Sequence, residues 1–169
     1  MKYILLIAAM LTFTSCSEDL NLVVTPMNVT ELAPQFEVQS NTFLVGDTKD
    51  LIVRVRNTGS SYSDGPIKLL VSGYSAFSIG FDPTATEANT LTSTKDVANE
   101  NFASYKGADF MYLESPLSIA PGEELRVAFT VTAVDAGELN YITVSLDQGS
   151  GGDTSSTNNV ITKVLVIAQ

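Results

Sequence analysis

The chain contains no histidine and no tryptophan, one cysteine, and 9 basic residues against 19 acidic ones. Without histidine there is no Ser-His-Asp or Cys-His nucleophile activation, no imidazole base and none of the commonest zinc ligand. With one cysteine no disulfide can form within the chain, so a folded domain must be held by its core. A chain of this size buries about two-thirds of its unfolded surface, enough for a core without staples. The formal charge of −10, with no cluster of Lys and Arg to offset it, repels nucleic acid and anionic headgroups, so nucleic acid is not an expected partner. No apolar run approaches the roughly 20 residues of a membrane-spanning helix. No long segment carries apolar residues at helical spacing.

What is present begins with Met1-Lys2-Tyr3, then an apolar run from Ile4 to Phe13 broken only by Thr12. One positive charge, a short apolar stretch and a small-residue end are the three parts of a secretory signal. Thr12-Phe13-Thr14-Ser15-Cys16 resembles a bacterial lipobox, with Phe13 where leucine is usual. The resemblance implies that residues 1–15 are removed and that Cys16 becomes a lipidated N-terminus. Each buried acyl CH₂ contributes about 0.8 kcal/mol, and two or more chains anchor stably. The competing reading is an incidental cysteine beside an ordinary cleavage site. Against it, Cys16 is the only cysteine and stands where the apolar segment ends. Ser17-Glu18-Asp19 resembles a surface-export signal of some Gram-negative lineages; the alternative is a solvated acidic start to a tether. The expectation is an outer-membrane lipoprotein, displayed outward, with the periplasmic face as the alternative.

Residues 16–34, with Pro26 and Pro34 and a short apolar stretch at Leu20–Val24, read as a lipidated cysteine and flexible tether able to add one edge strand. From Gln35 the pattern has period two. Leu125, Val127, Phe129, Val131 and Ala133 share one face, with Arg126, Thr130 and Thr132 on the other. Ala120-Pro121-Gly122-Glu123 launches that strand, with Pro and Gly at the centre of a tight turn. Leu51–Arg56 alternates likewise and ends at Asn57-Thr58-Gly59, residues that tolerate positive φ. Phe36–Leu44, Ile67–Val71, Ala76–Phe81, Phe110–Leu113, Leu139–Leu146 and Val160–Ile167 complete the strands. The last is apolar on both faces near its end, which predicts a central or covered position. Seven or eight short strands separated by Gly, Pro, Asn and Asp predict an all-β, antiparallel β-sandwich over residues 35–169. Residues 82–106 interrupt it as a long polar segment, with a short helical turn expected near Asp96–Tyr105.

Val45-Gly46-Asp47, then Val55-Arg56-Asn57-Thr58-Gly59, resembles the opening of immunoglobulin-like repeats of bacterial surface proteins, the CARDB and DUF11 types. The Pro121-Gly122-Glu123 turn, Asp135-Ala136-Gly137, and Asp153 through Asn158-Asn159-Val160 continue the likeness, which spans about residues 36–168. It implies an immunoglobulin-like sandwich that acts as an adhesive, spacer or partner-binding module. No ligand residues come with it, since the motifs are turn signals. The chain lacks the core Trp and disulfide of antibody domains. It also lacks a tyrosine after Asp135-Ala136-Gly137-Glu138.

The expected function is therefore contact rather than catalysis, with no cofactor. Nineteen acidic residues guarantee that some carboxylates are neighbours, so proximity alone does not indicate glycoside hydrolysis. Asp147, Asp153, Thr154, Asn158 and Asn159 cluster around Gln148-Gly149-Ser150-Gly151-Gly152. Their spacing does not match a helix–loop–helix calcium loop, and no metal site is expected. A protein partner is the leading expectation, beside the membrane contact through the lipid. Glycan capture through Tyr62, Tyr74, Tyr105 and Tyr112, or a place in a fibre or envelope assembly, are the alternatives; tyrosine at strand ends is also ordinary packing. Replacing Cys16→Ser should release the protein from the membrane fraction or leave it as uncleaved precursor. Correct processing with retention on the membrane would overturn the lipid anchor.

Overall fold

A computed structural model describes residues 28–73, 75–107, 109–136 and 140–168. The fold is an all-β sandwich of two main sheets. One contains β1 (Leu32–Phe36), β3 (Thr48–Asn57), β10 (Glu124–Ala133) and β5 (Phe77–Gly80), in the order β1-β3-β10-β5. The other contains β12 (Val160–Val164), β11 (Tyr141–Leu146), β4 (Ile67–Gly73), β9 (Phe110–Ser115) and β8 (Ala103–Lys106), in the order β12-β11-β4-β9-β8. All pairings within these two sheets are antiparallel. Short β2 (Thr42–Leu44) and β13 (Val166–Ala168) pair in parallel, joining the N- and C-terminal stretches along one flank. Period-two alternation dictates the core: Leu51, Val53 and Val55 of β3 and Leu125, Val127, Phe129 and Val131 of β10 meet Leu69, Val71, Leu113, Ile142 and Val144 of the facing sheet.

The motifs that suggest the fold are explained by where backbone must come close or turn sharply. Glu123 N–H donates to the Ala120 carbonyl at 3.0 Å, and Gly122 has φ 82°, a turn with glycine where positive φ is required. Asn57 is fully buried, and its Nδ2 donates to the carbonyls of Ser61 and Ile119 at 2.7 and 2.8 Å. Gly59 serves a different purpose from the one its motif suggests. Its φ is not positive; instead, a Cβ there would lie 2.2 Å from the Val29 carbonyl oxygen. The glycine makes room for the incoming N-terminal segment, whose Val29 and Glu31 carbonyls accept from Ser60 N and Thr58 N.

Three strand expectations change. The first strand starts at Leu32, inside the stretch read as tether, and carries Pro34, which an edge strand tolerates. It breaks after Phe36, so Phe36–Leu44 is two strands in two different sheets. Among the described residues the last strand is neither central nor covered: β12 lies at a sheet edge, with Val160 and Val164 exposed by 61% and 67%, and Val166 of β13 by 51%. Only Leu165 turns fully inward, where the chain swings from β12 to β13. The sequence shows alternation of size but not which neighbour is missing.

Residues 82–106 are not a featureless loop. They form a hairpin of β6 (Glu87–Asn89) and β7 (Thr94–Asp96), a 3₁₀ turn at Asn99–Asn101, and then β8. The helical turn expected near Asp96–Tyr105 is this 3₁₀ turn. The hairpin lies on the outer face of the four-stranded sheet. There Ile52 and Ala128, opposite each other in the β3–β10 register, are buried with Ala88 and Val97, and Ala85 packs against them. Two side-chain amides fasten the cover. Asn99, 1% exposed, accepts from Ala128 N at 2.9 Å and donates to the Ala128 and Asp82 carbonyls, both at 2.9 Å. Gln39 accepts from Ile52 N at 2.9 Å and donates to the Asp50 carbonyl at 2.8 Å and the Asn89 carbonyl at 3.3 Å. Each amide stands in for a ladder partner that β5 or β1 is too short to supply.

Asn99→Ala strands the Ala128 N–H and C=O away from water. Unfolding by denaturant should register a loss of about 2–4 kcal/mol, and the melting temperature should fall by roughly 5–12 °C. Asn101→Ala, on the same 3₁₀ turn, should stay within about 0.5 kcal/mol of wild type. Equal effects from both would refute the role of the Asn99 amide.

Candidate functional site: the open face of the five-stranded sheet

The two outer faces of the sandwich differ. On the four-stranded sheet the upper half is sealed by the hairpin, and the lower half is a charged lattice. Arg126 pairs with Glu37 at 3.2 Å and also with Glu124, and Arg54 reaches Glu124 at 3.5 Å. No described segment covers the outer face of the five-stranded sheet in this way. Alternation points Phe110, Tyr112 and Glu114 of β9 outward while Met111, Leu113 and Ser115 are buried. The same rule puts Lys68, Leu70 and Ser72 of β4, Tyr141, Thr143 and Ser145 of β11, and Val160, Thr162 and Val164 of β12 on this face. Of the chain's 28 charged residues, the outward positions of β4, β9, β11 and β12 hold only Lys68 and Glu114, which approach each other at 3.9 Å. The face is thus formally neutral on a strongly acidic protein.

Its aromatic part lies at the β8–β9 edge. Tyr105 and Tyr112 are direct cross-strand partners, exposed by 67% and 39%. Phe110 joins them, its ring centroid 6.3 Å from Tyr105 and 5.4 Å from Tyr112. The interplanar angles of 41° and 75° are the tilted and edge-to-face arrangements that the ring quadrupole favours. The surface is therefore ridged rather than one flat stacking platform. Gly107 creates the space: a Cβ there would lie 2.5 Å from the Phe110 ring. Beneath the edge, a cleft of about 240 Å³ separates β5 from the β8–β9 hairpin, lined by Phe77, Ile79, Lys106, Asp109 and Phe110 among others. Lys106 Nζ bridges it, donating to the Ile79 carbonyl at 2.6 Å.

Of the four tyrosines singled out from sequence, the structure brings together Tyr105 and Tyr112. Tyr62 is exposed but sits in the β3–β4 connection at the other end of the sandwich, where its carbonyl accepts from Thr30 Oγ1 at 3.1 Å. Tyr74 lies outside the described residues, as do Cys16, Ser17, Glu18 and Asp19. Sequence reasoning missed Phe110 and the valines of β12, which it assigned to packing. Period two marks them as outward, but only the sheet order shows that no described segment lies over them.

The oxygen-rich turn around Asp153 is structural. Asp153 is 5% exposed, and its carboxylate accepts from Leu32 N at 3.1 Å, Ser155 N at 3.4 Å and Asn159 Nδ2 at 2.9 Å. Asn158 Nδ2 donates to Glu31 Oε1 at 2.9 Å. The cluster clamps the start of β1 to the last hairpin. Among the described residues no three His, Cys, Asp or Glu side chains converge into a metal cage.

No family model and no curated protein matches the chain. Solved structures do match in fold. The CARDB domain of a Pyrococcus furiosus protein, crystallised with di-metal ions, is 17% identical, with 88% of this chain and 97% of that domain covered and a TM-score of 0.53. A cohesin module from a Clostridium perfringens family 33 glycoside hydrolase is 15% identical, covering 82% of this chain and 98% of the module, with a TM-score of 0.52. At these identities the likeness concerns the fold: this chain is an immunoglobulin-like β-sandwich similar to CARDB domains and cohesin modules.

Proposed function

We propose that this protein is a non-catalytic lipoprotein of the outer membrane. On this reading Cys16 carries the lipid, and the domain presents the open face of its five-stranded sheet to a protein partner. The observation that carries the reading is the contrast between the two outer faces. One is sealed or charged; the other is neutral and carries Tyr105, Phe110, Tyr112, Val160 and Val164 in exposed positions. Interface centres are poor in charge and rich in aromatic residues; this face gathers aromatic rings at the β8–β9 edge and exposed valines on β12 at the other, with hydroxyls between. Five strands about 4.8 Å apart and some five residues tall present on the order of 400 Å² in projection. The ridged packing of Phe110 against Tyr105 and Tyr112 suits the irregular relief of a protein better than the flat face of a sugar ring.

The membrane anchor rests on the lipobox-like segment before Cys16, and outward display on Ser17-Glu18-Asp19. The described chain starts at Asn28, beside the Thr58–Ser61 turn, so the tether joins one end of the sandwich and the open face stands to the side. A photo-crosslinking residue placed at Tyr112 in living cells should yield a discrete protein adduct, and the same probe at Arg56 on the other sheet should not. Adducts from neither position, or equally from both, would remove the face as the binding surface. Glycan-array binding that Tyr105→Ala abolishes would replace the protein partner with a sugar.

A further inference from the structure

Resting on that reading of the face, we infer that its occupant is a second copy of this chain, and that the five-stranded sheets of two protomers pack face to face about a twofold axis parallel to the strands. Charge argues for it first. Two mature molecules, each −11 once Lys2 is taken from the formal charge of −10, repel through most of their surface, and the open face is where that repulsion is least. Its only charges, Lys68 and Glu114, already compensate each other. A foreign partner selected to bind an acidic protein gains most by presenting basic groups, and this face offers them nothing to pair with. The complementary surface must itself be neutral, with aromatic and β-branched side chains, and the chain carries such a surface.

Area argues second. Two such faces with their rims remove on the order of 1,200 Å² of accessible surface, the lower bound of a standard interface. The face suits sheet-on-sheet packing: Ser72, Thr143 and Ser145 are short side chains on the inner strands β4 and β11, and Tyr105 and Tyr112 stand at the edge opposite Val160 and Val164. In an isologous pair the aromatic edge of each copy can lie over the low middle or the valines of the other. The tether argues third. A twofold parallel to the strands places both N-terminal ends on the same side. Residues 16–27 span up to about 40 Å when extended, so both lipidated cysteines reach one membrane.

Sedimentation of the full mature chain carrying Cys16→Ser tests the inference. The expected result is a concentration-dependent dimer in the micromolar range whose affinity rises with added salt, because screening relieves the repulsion between like-charged copies. Tyr112→Arg and Ser72→Arg alter exposed or half-exposed positions outside the core; each should weaken the dimer at least tenfold while keeping the wild-type melting temperature. Arg56→Lys, on the other sheet and conserving charge, should leave it unchanged. A monomer at every concentration up to about 100 μM, or a dimer indifferent to both arginines, overturns the inference. In cells, the adduct from position 112 should have twice the mass of the chain. An adduct with a different protein overturns the second copy as occupant and leaves the face as a protein-binding surface.

Discussion

The covering of Ile52 and Ala128 is the contact that gives the molecule its two unlike sides. A sandwich must bury its inner faces, but each outer face is free to be polar, covered or adhesive. Here the central β3–β10 pair carries one apolar cross-strand pair on its outer side, and leaving it wet would expose a sticky strip. The segment between β5 and β8 folds back to cover it with Ala88 and Val97. The cover is small, and its hydrophobic gain is correspondingly modest. What makes it specific is the pair of amides: Asn99 and Gln39 satisfy backbone groups of β10 and β3 that short neighbouring strands leave unpaired. The consequence is directional: the apolar strip is closed on this sheet, whereas no described segment covers the outer face of the five-stranded one.

A second cluster of polar groups fixes the end at which the described chain begins. Asn57, Gly59, Asp153 and Asn158 all serve residues 29–32 or the loops that hold them. The turn motifs shared with the bacterial surface repeats thus turn out to be packing devices for the chain's entry into the sandwich. If the protein hangs from a lipid at Cys16, any pull on the domain arrives at this clamp. That offers a physical reason for so many buried hydrogen bonds where a tether meets a fold, and it explains why the motifs reveal no ligand.

The open face balances two demands on an acidic protein. Net negative charge keeps the molecule soluble and discourages indiscriminate association. The same charge opposes close contact, and the open face is largely spared it. Keeping Lys68 and Glu114 side by side and filling the remaining outward positions of these strands with hydroxyls, aromatic rings, valines and Leu70 achieves that without creating a wholly greasy patch. Lys163, on the seam between the sheets, shows the opposite arrangement. Its ammonium lies over the Phe36 ring and near the Gln39 carbonyl, and partial burial pushes its pKa below the ordinary lysine value. That cation belongs to the closure of the fold.

Much of this was legible before any coordinates. Alternation in β3, β4, β9, β10 and β11 fixes which side chains point the same way, because a strand has no other period, even where Ile52, Leu70 and Ala128 put apolar side chains on the outer faces. The Pro121-Gly122 turn follows from the φ values those residues favour. The absence of histidine and the single cysteine restrict chemistry whatever the fold. Apolar alternation also told which face turns inward, whereas tertiary structure alone decided which strands stand at edges and what covers what. The valines of β12 read as buried because hydrophobicity reports a preference, whereas exposure depends on whether a neighbour exists. Ile52 and Ala128 were the faint sequence clue to a cover, two apolar residues on faces otherwise polar, but that 82–101 supplies it depends on contacts far apart in the chain. Tyr105 and Tyr112 are close in sequence, and their meeting is a matter of local hairpin register; that they border a neutral, uncovered sheet follows only from the order in which five distant strands assemble.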